Sequence, residues 1–162
     1  MAYFSGSESP EELAALAWLL EDGSRKFYSE VSTLTNDGDA VSLFKDLVTA
    51  EEHHKESILK VYQELTGSKA VPEDMGELIS SETPGDMMEG GISVTEALEW
   101  AQEKSLKEIL EFTISLEANA YDLYIKMGRK FVDSNAGKIF DLLSEEERMH
   151  LERMAGLLEK EI

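Results

Sequence analysis

Apolar side chains recur every three or four residues in four long stretches of the chain, a spacing that predicts amphipathic helices. The first helix is predicted to begin at Ser9, because a serine N-cap followed by Pro10 and Glu12 is typical of a helix start. Residues 36–38 break the pattern with Asn, Asp and Gly, and they end this helix.

The second helix is predicted to begin at a cap on Asp39 and to end at Gly67, since glycine commonly follows the last residue of a helix. Ser105 and Glu108 open the third helix as a capping box, in which each side chain bonds the backbone of the other. The fourth helix follows a break at residues 133–135 and runs nearly to the end. The sequence therefore predicts an all-α protein.

Residues 68–104 behave differently, because proline and glycine interrupt them repeatedly. Residues 93–96 predict the cap of a short helix that ends near Gln102. We interpret the segment as a crossover between helical hairpins at about 9–67 and 105–161, within one domain that spans the whole chain. The methionines of this crossover are expected to pack in the core, because thioethers are poor ligands for hard cations. They are Met75, Met87 and Met88.

The two hairpins share one sequence template. Residues 9–58 align with residues 105–154 at a constant offset of 96, without gaps. The matched pairs include Ser9 and Ser105, Glu12 and Glu108, Glu21 and Glu117, Tyr28 and Tyr124, Phe44 and Phe140, Glu51 and Glu147, and His54 and His150. Two similar hairpins packed face to face form a four-helix bundle with an approximate two-fold axis.

Each half of the repeat contains a Glu-x-x-His motif, from Glu51 to His54 in the first half and from Glu147 to His150 in the second. Residues three apart lie on the same helix face, so each pair can bind one metal ion together. A single motif of this kind is weak evidence, since solvent-facing glutamates are common in such an acidic chain. Its recurrence at matched positions indicates a shared site.

Glu21 and Glu117 complete this set from the other two helices. The turn near Asp37 lies almost midway between Glu21 and Glu51, so an antiparallel hairpin places both at nearly one height, and the second hairpin repeats the arrangement. Both glutamates lie on apolar faces, where an uncompensated carboxylate costs several kcal/mol, and divalent cations would compensate them. Four carboxylates and two imidazoles form the ligand set of di-iron and di-manganese proteins.

The composition narrows the range of partners. Lys and Arg total 15 against 34 Asp and Glu, and the net charge of -19 disfavours binding to nucleic acid or to anionic membranes. No apolar run approaches the ~20 residues that span a bilayer, and the N-terminal residues do not match an export signal, so we expect a cytoplasmic protein. The absence of cysteine excludes disulfides and iron-sulfur clusters, which leaves oxygen and imidazole as metal ligands.

This combined pattern resembles the rubrerythrin-like branch of the ferritin-like superfamily, over nearly the whole chain from about Ser9 to Leu158. The residues that carry the resemblance are Glu21, Phe27 and Tyr28, Glu51 and His54, Glu117, Leu123 and Tyr124, and Glu147 and His150. The resemblance implies a ferritin-like four-helix bundle whose two iron ions cycle between ferrous and ferric states while hydrogen peroxide or dioxygen is reduced. Whether manganese replaces one or both irons stays open.

The resemblance also implies a role for each ligand: terminal for Glu21 and Glu117, bridging for Glu51 and Glu147, and one histidine on each iron, His54 and His150. The chain departs from the family pattern in two ways. Ala120 stands where rubrerythrins carry an extra glutamate, one turn after the ligand of the third helix, which takes part in a redox-linked movement of iron. The cysteine-ligated rubredoxin iron is also missing, so the chain resembles the shorter erythrins that consist of the bundle alone.

Tyr28 and Tyr124 lie two turns after the first glutamate of each hairpin, and helical side chains lean towards the N-terminus, so their hydroxyls can reach the metal ligands. The alternative of equal weight is a packed tyrosine with its hydroxyl at the edge of the bundle. His53 points about 100° away from His54 and has no histidine partner in the repeat, so we expect it on the surface.

The expected function is that of a di-iron peroxidase or oxidase that counters oxidative stress. Iron binding or storage is the alternative, and a metal-free acidic adaptor is a third. The chain has no cysteine and no Gly-x-Gly-x-x-Gly fingerprint, so we expect a separate electron donor, such as a rubredoxin-like protein or a flavin reductase. A crossover as long as residues 68–104 also allows a hairpin to be exchanged between subunits, and we expect a homodimer, swapped or not.

Overall fold

The computed structural model describes residues 9–67, 69, 87–132 and 134–161. Over these residues the chain forms five α-helices and one short two-stranded hairpin. The helices are α1 (Pro10–Val31), α2 (Gly38–Thr66), α3 (Val94–Ala101), α4 (Leu106–Lys130) and α5 (Asn135–Glu159). The strands β1 (Met87–Met88) and β2 (Ile92–Ser93) pair antiparallel around a 3-10 turn, Glu89–Gly91. The prediction of an all-α bundle with four long helices and a short one in the crossover is confirmed.

Side-chain caps define the starts of the helices. The hydroxyl oxygen of Ser9 accepts a hydrogen bond from the backbone N–H of Glu12 at 3.1 Å, at the first turn of α1. Ser105 and Glu108 form the complete capping box at the start of α4. Ser93 caps α3 through the backbone N–H of residue 96. These three starts agree with the sequence-based prediction.

The cap of α2 is Asp37, whereas the sequence analysis predicted Asp39. The Asp37 carboxylate accepts a hydrogen bond from the backbone N–H of Ala40 at 2.9 Å, and its extended backbone turns the side chain towards that amide. Asp39 instead lies inside the first turn, where the positive end of the helix dipole favours its negative charge. Either aspartate is a good capping residue, so composition alone did not distinguish them.

The helix ends follow from local hydrogen bonds. α1 ends at Val31, before the predicted break at residues 36–38, because the hydroxyls of Ser32 and Thr33 donate to carbonyl oxygens three residues earlier, each at 2.6 Å. These bonds offer the backbone an alternative to a further helical turn. α2 ends before Gly67 as predicted, and the φ of +67° at this glycine is the left-handed conformation that terminates many helices.

The apolar core is divided in two at the middle of the bundle. α1 pairs with α2 and α4 pairs with α5, as two hairpins. One buried cluster joins the first halves of α1 and α5, the second halves of α2 and α4, and Met87 of the crossover. The other cluster joins the remaining halves of these helices with Met88 and α3. Each long helix therefore changes from one cluster to the other near its centre. In the described ranges no helix combines the length and apolar character needed to cross a bilayer.

The part of the crossover at residues 87–93, here named the clasp, packs directly on α1. Gly23 makes this approach possible, because a Cβ at this position would collide with the carbonyl oxygen of Met87 and lie 2.9 Å from the Cα of Met88. Both methionines are buried, one in each core cluster, as expected for hydrophobic packing. Met75, the third methionine of that prediction, lies outside the described residues.

We predict that Gly23→Ala will lower the free energy of unfolding by about 1–3 kcal/mol, since backbone must move to admit the methyl group. Gly156→Ala is the matched control, because Gly156 is also helical and nothing lies within 4 Å of the position that a Cβ would take there. That change should leave the free energy unchanged or raise it by up to ~1 kcal/mol through helix propensity. Urea denaturation followed by circular dichroism measures both, and equal effects would contradict the close packing of the clasp.

Candidate metal centre

Four helices place the predicted ligands at the boundary between the two core clusters. Glu21 lies on α1, the pair Glu51 and His54 on α2, Glu117 on α4, and the pair Glu147 and His150 on α5. All of these side chains are buried except that of His150, which is 19% exposed. Apolar residues flank every one of these positions along its own helix, because each helix face continues into a core cluster on either side.

The ligand atoms converge in two groups, in each of which they lie within 4.8 Å of one another. The first group is Glu21, Glu51, His54 and Glu147. The second group is Glu117, Glu147 and His150. Glu147 belongs to both groups, which is the position required of a bridging carboxylate. Glu51, for which the family resemblance also implies bridging, belongs to the first group alone.

Several of the buried oxygen and nitrogen atoms of these ligands have no hydrogen-bond partner. The buried atoms without one include Oε2 of Glu21 and of Glu51, both oxygens of Glu147, and Nδ1 of His54 and of His150. The Nδ1 of His54 lies 3.0 Å from Glu147 Oε1 and 3.4 Å from Glu21 Oε2, which are ion-pair distances when the ring is protonated. A buried polar atom without a partner costs about 1–3 kcal/mol, so this arrangement needs a compensating group. Carboxylate oxygen and imidazole nitrogen suit iron, manganese or zinc.

The pKa values of the buried ligands also show that their charges need compensation. Burial raises the pKa of Glu21 to about 7 and raises that of Glu51 well above its usual range, because burial disfavours the charged form. Burial would lower the pKa of His54, but the negative charge of Glu21 and the neighbouring carboxylates raise it well above the usual value. Burial would raise the pKa of Glu147, but His150 and His54 lower it. Without metal, protons hold this cluster together, and a bound cation would replace them.

One residue at the candidate site that the sequence analysis missed is Glu146. Its Oε2 lies 2.7 Å from Nε2 of His54, so the other ring nitrogen, Nδ1, faces the first group of ligands. A hydrogen bond of this kind fixes the orientation of a metal-binding histidine and increases its basicity. The sequence repeat did not identify Glu146 as a site residue, because the matching residue in the first hairpin is Ala50. His150 therefore has no matching carboxylate from α2, and the two halves of the site differ.

The two tyrosines reach across the bundle to the glutamates of the opposite hairpin. The Tyr28 hydroxyl donates to Glu117 Oε1 at 2.9 Å, and the Tyr124 hydroxyl donates to Glu21 Oε1. Both rings are buried, so the alternative of a hydroxyl at the bundle edge does not describe them. Each tyrosine holds one oxygen of a predicted ligand, and the other oxygen of Glu21 is left free to face the centre.

A second residue missed by the sequence analysis is Glu89, which the clasp brings to the bundle interior. Its side chain is 3% exposed and its Oε1 has no hydrogen-bond partner. Glu89 lies outside the sequence repeat, and its segment has no helical periodicity. Neither the repeat nor the periodicity could therefore identify it as a candidate. His53, in contrast, is exposed as predicted.

We predict that Tyr124→Phe will lower the free energy of unfolding of the metal-free protein by about 1–3 kcal/mol, because the Oε1 of Glu21 loses its donor inside the core. Tyr28→Phe should act similarly through Glu117. Tyr121→Phe is the control, since this tyrosine is half-exposed and lies on the same helix as Tyr124. Chemical denaturation after chelation measures all three, and a neutral Tyr124→Phe would show that the cross-bundle bond contributes nothing.

Comparison with known proteins identifies the family of the chain. Searches of curated proteins and of solved structures found no match to this chain. The model of the family described as Rubrerythrin matches residues 12–158, a span that contains all six predicted ligands and both tyrosines. Because the match covers far more than half of the sequence, the chain belongs to the Rubrerythrin family.

Proposed function

We propose that the chain binds two iron ions at the centre of the bundle and uses them to reduce hydrogen peroxide or dioxygen. The observation that carries this proposal is the set of buried carboxylate and imidazole atoms that converge without hydrogen-bond partners. Membership of the Rubrerythrin family supports iron as the metal. Manganese in place of one or both irons remains compatible with the same donor atoms.

The six predicted ligands would be shared between the two ions according to the two groups of converging ligand atoms. Glu21, Glu51 and His54 would hold one ion, Glu117 and His150 the other, and Glu147 would lie between them. The tyrosines act through the glutamates, because each hydroxyl fixes one carboxylate oxygen and so orients the other. They are positioning residues in this proposal.

The surroundings of the site suit a reaction with a small oxidant. When bound, a pair of irons supplies two electrons in passing from the diferrous to the diferric state, which with two protons converts one peroxide to two waters. Apolar clusters on both sides exclude bulk water and larger reactants. His150 is the most exposed of the six ligands, so we place the access route for the oxidant on the α5 side.

The electrons for the next cycle would come from another protein. The chain has no cysteine to hold an iron-sulfur cluster or a rubredoxin iron. We propose a rubredoxin-like protein or a flavin reductase as the donor. The net charge of -19 favours a donor whose docking surface is basic.

We also propose that the protein is a homodimer. Leu142 and Met149 support this, because they lie two turns apart on one face of α5 and are 67% and 58% exposed. Whether the crossover is exchanged between subunits is left open by these residues. The cytoplasmic location, and the expected absence of nucleic acid and membrane partners, stay predictions from the sequence.

Iron storage is the alternative function with the same ligands. Storage requires assembly into a closed shell, which light scattering distinguishes from a dimer. A dimer that oxidises iron and reduces peroxide would favour the enzymatic function over iron storage.

We predict that the purified protein binds two ferrous ions per chain and that a chelator lowers its melting temperature, because metal binds only the folded state. His54→Ala should lose one of the two ions, since this ring is buried in the first group. His53→Ala is the matched control, as the neighbouring histidine is exposed. Elemental analysis and thermal denaturation measure these effects. The assignment would be contradicted if the purified protein contained no metal and the chelator left its melting temperature unchanged.

We predict that reduced protein mixed with excess peroxide consumes about one peroxide per pair of irons and then stops. Sustained consumption should appear only when a reducing partner, such as a rubredoxin with its reductase, is added. The measurement is peroxide concentration against time under anaerobic conditions. Continuous consumption by the chain alone with NADH would show that the chain transfers electrons from the nucleotide itself.

A further inference from the structure

The clasp holds Glu89 in a fixed place beside the metal centre. The 3-10 turn that contains Glu89 packs against both α1 and α4. Its backbone N–H donates to the hydroxyl oxygen of Ser24 at 3.4 Å, and the preceding backbone lies directly on Gly23. These contacts leave the backbone of Glu89 little freedom, so its carboxyl can move only by rotation of the side chain.

The contact with Ser24 places the clasp next to the predicted ligand on α1. Ser24 lies one turn after Glu21, and it is buried. Gly23, against which the backbone of Met87 and Met88 packs, lies two residues after Glu21. The backbone of Glu89 therefore meets α1 within one turn of Glu21.

The turn that contains Glu89 also contacts α4, the helix that carries Glu117. Ala120 lies one turn after Glu117 and is buried. In the repeat Ala120 matches Ser24, the residue whose hydroxyl accepts a hydrogen bond from the backbone of Glu89, so only the first hairpin has a hydroxyl at this position.

The carboxyl of Glu89 lies within the electrostatic field of the first ligand group. Burial raises its pKa well above the usual range, the negative charges of Glu21 and Glu147 raise it further, and His54 lowers it. The Oε1 of Glu89 has no hydrogen-bond partner, although the side chain is almost fully buried. A residue with a purely structural role at this position would satisfy that oxygen or replace it with an apolar group.

We propose that Glu89 is a further ligand of the metal centre, supplied by the crossover to the ion held by Glu21, Glu51, His54 and Glu147. This inference rests on the proposed binding of metal. Glu89 is not among the residues whose ligand atoms already lie within 4.8 Å of one another, so its side chain must rotate towards the ion on binding. The ion would then be held by both hairpins and by the segment that connects them.

The test uses cobalt(II) as the probe, because its visible absorption depends on the number and type of its ligands. Glu89→Gln keeps the shape of the side chain and removes the charge. We expect it to weaken one of the two cobalt sites by about 10- to 100-fold and to change the cobalt spectrum of that site. Glu99→Gln is the matched control, since Glu99 is exposed on α3 and the change in net charge is the same.

The stability of the metal-free variant separates a ligand from a structural residue. Without metal, Glu89→Gln should be as stable as the original protein or more so, because a buried acidic group is removed from beside two other carboxylates. Lower stability without metal, with cobalt affinity unchanged, would overturn the proposal. Should Glu89→Gln not fold, Glu89→Asp keeps the charge on a shorter side chain, and unchanged cobalt affinity and spectrum in that variant would also overturn it.

The outcomes distinguish this inference from the proposed function. An original protein that binds no cobalt would overturn both. Two cobalt ions in the original protein, with the same affinity and spectrum in Glu89→Gln, would overturn the role of Glu89 alone. Weaker binding with an unchanged spectrum would also overturn it, because an added or lost ligand must alter the absorption.

Discussion

The burial of acidic side chains at the centre of the bundle is the constraint on which the rest of the structure depends. Glu21, Glu51, Glu117 and Glu147 are removed from water, and each would cost several kcal/mol without compensation. Histidines, tyrosine hydroxyls and raised pKa values compensate part of this cost. One oxygen each of Glu21 and Glu51 and both oxygens of Glu147 still have no hydrogen-bond partner. The place where the apolar faces of the helices are interrupted is therefore one that a bound cation would stabilise further.

Duplication of one hairpin solves the geometric problem of bringing these groups together. Each hairpin supplies two glutamates and one histidine, and each tyrosine stabilises a glutamate of the other hairpin. The two hairpins are consequently bound to each other through the site itself as well as through the apolar clusters. Packing, hydrogen bonding and the candidate chemistry share the same few residues, so a change at Glu21 or Tyr124 affects all three.

The parts that the sequence predicted are those governed by local rules or by the repeat. Helical periodicity and the serine caps at Ser9 and Ser105 gave the fold, and the offset of 96 brought the ligand candidates together. The cap at Asp37 was missed because two aspartates compete within three residues. Glu146 and Glu89 were missed for another reason, since each depends on a contact between segments that periodicity does not describe.

The hydrogen bond between His54 and Glu146 makes the two halves of a duplicated template unequal. The matching position in the first hairpin is Ala50, so His150 is without an equivalent partner from α2 and is also more exposed. A more basic imidazole binds a cation more strongly. Two ions in such a centre would load in order, the His54 side first, and the protein would pass through a half-filled state in which only one hairpin's histidine is engaged.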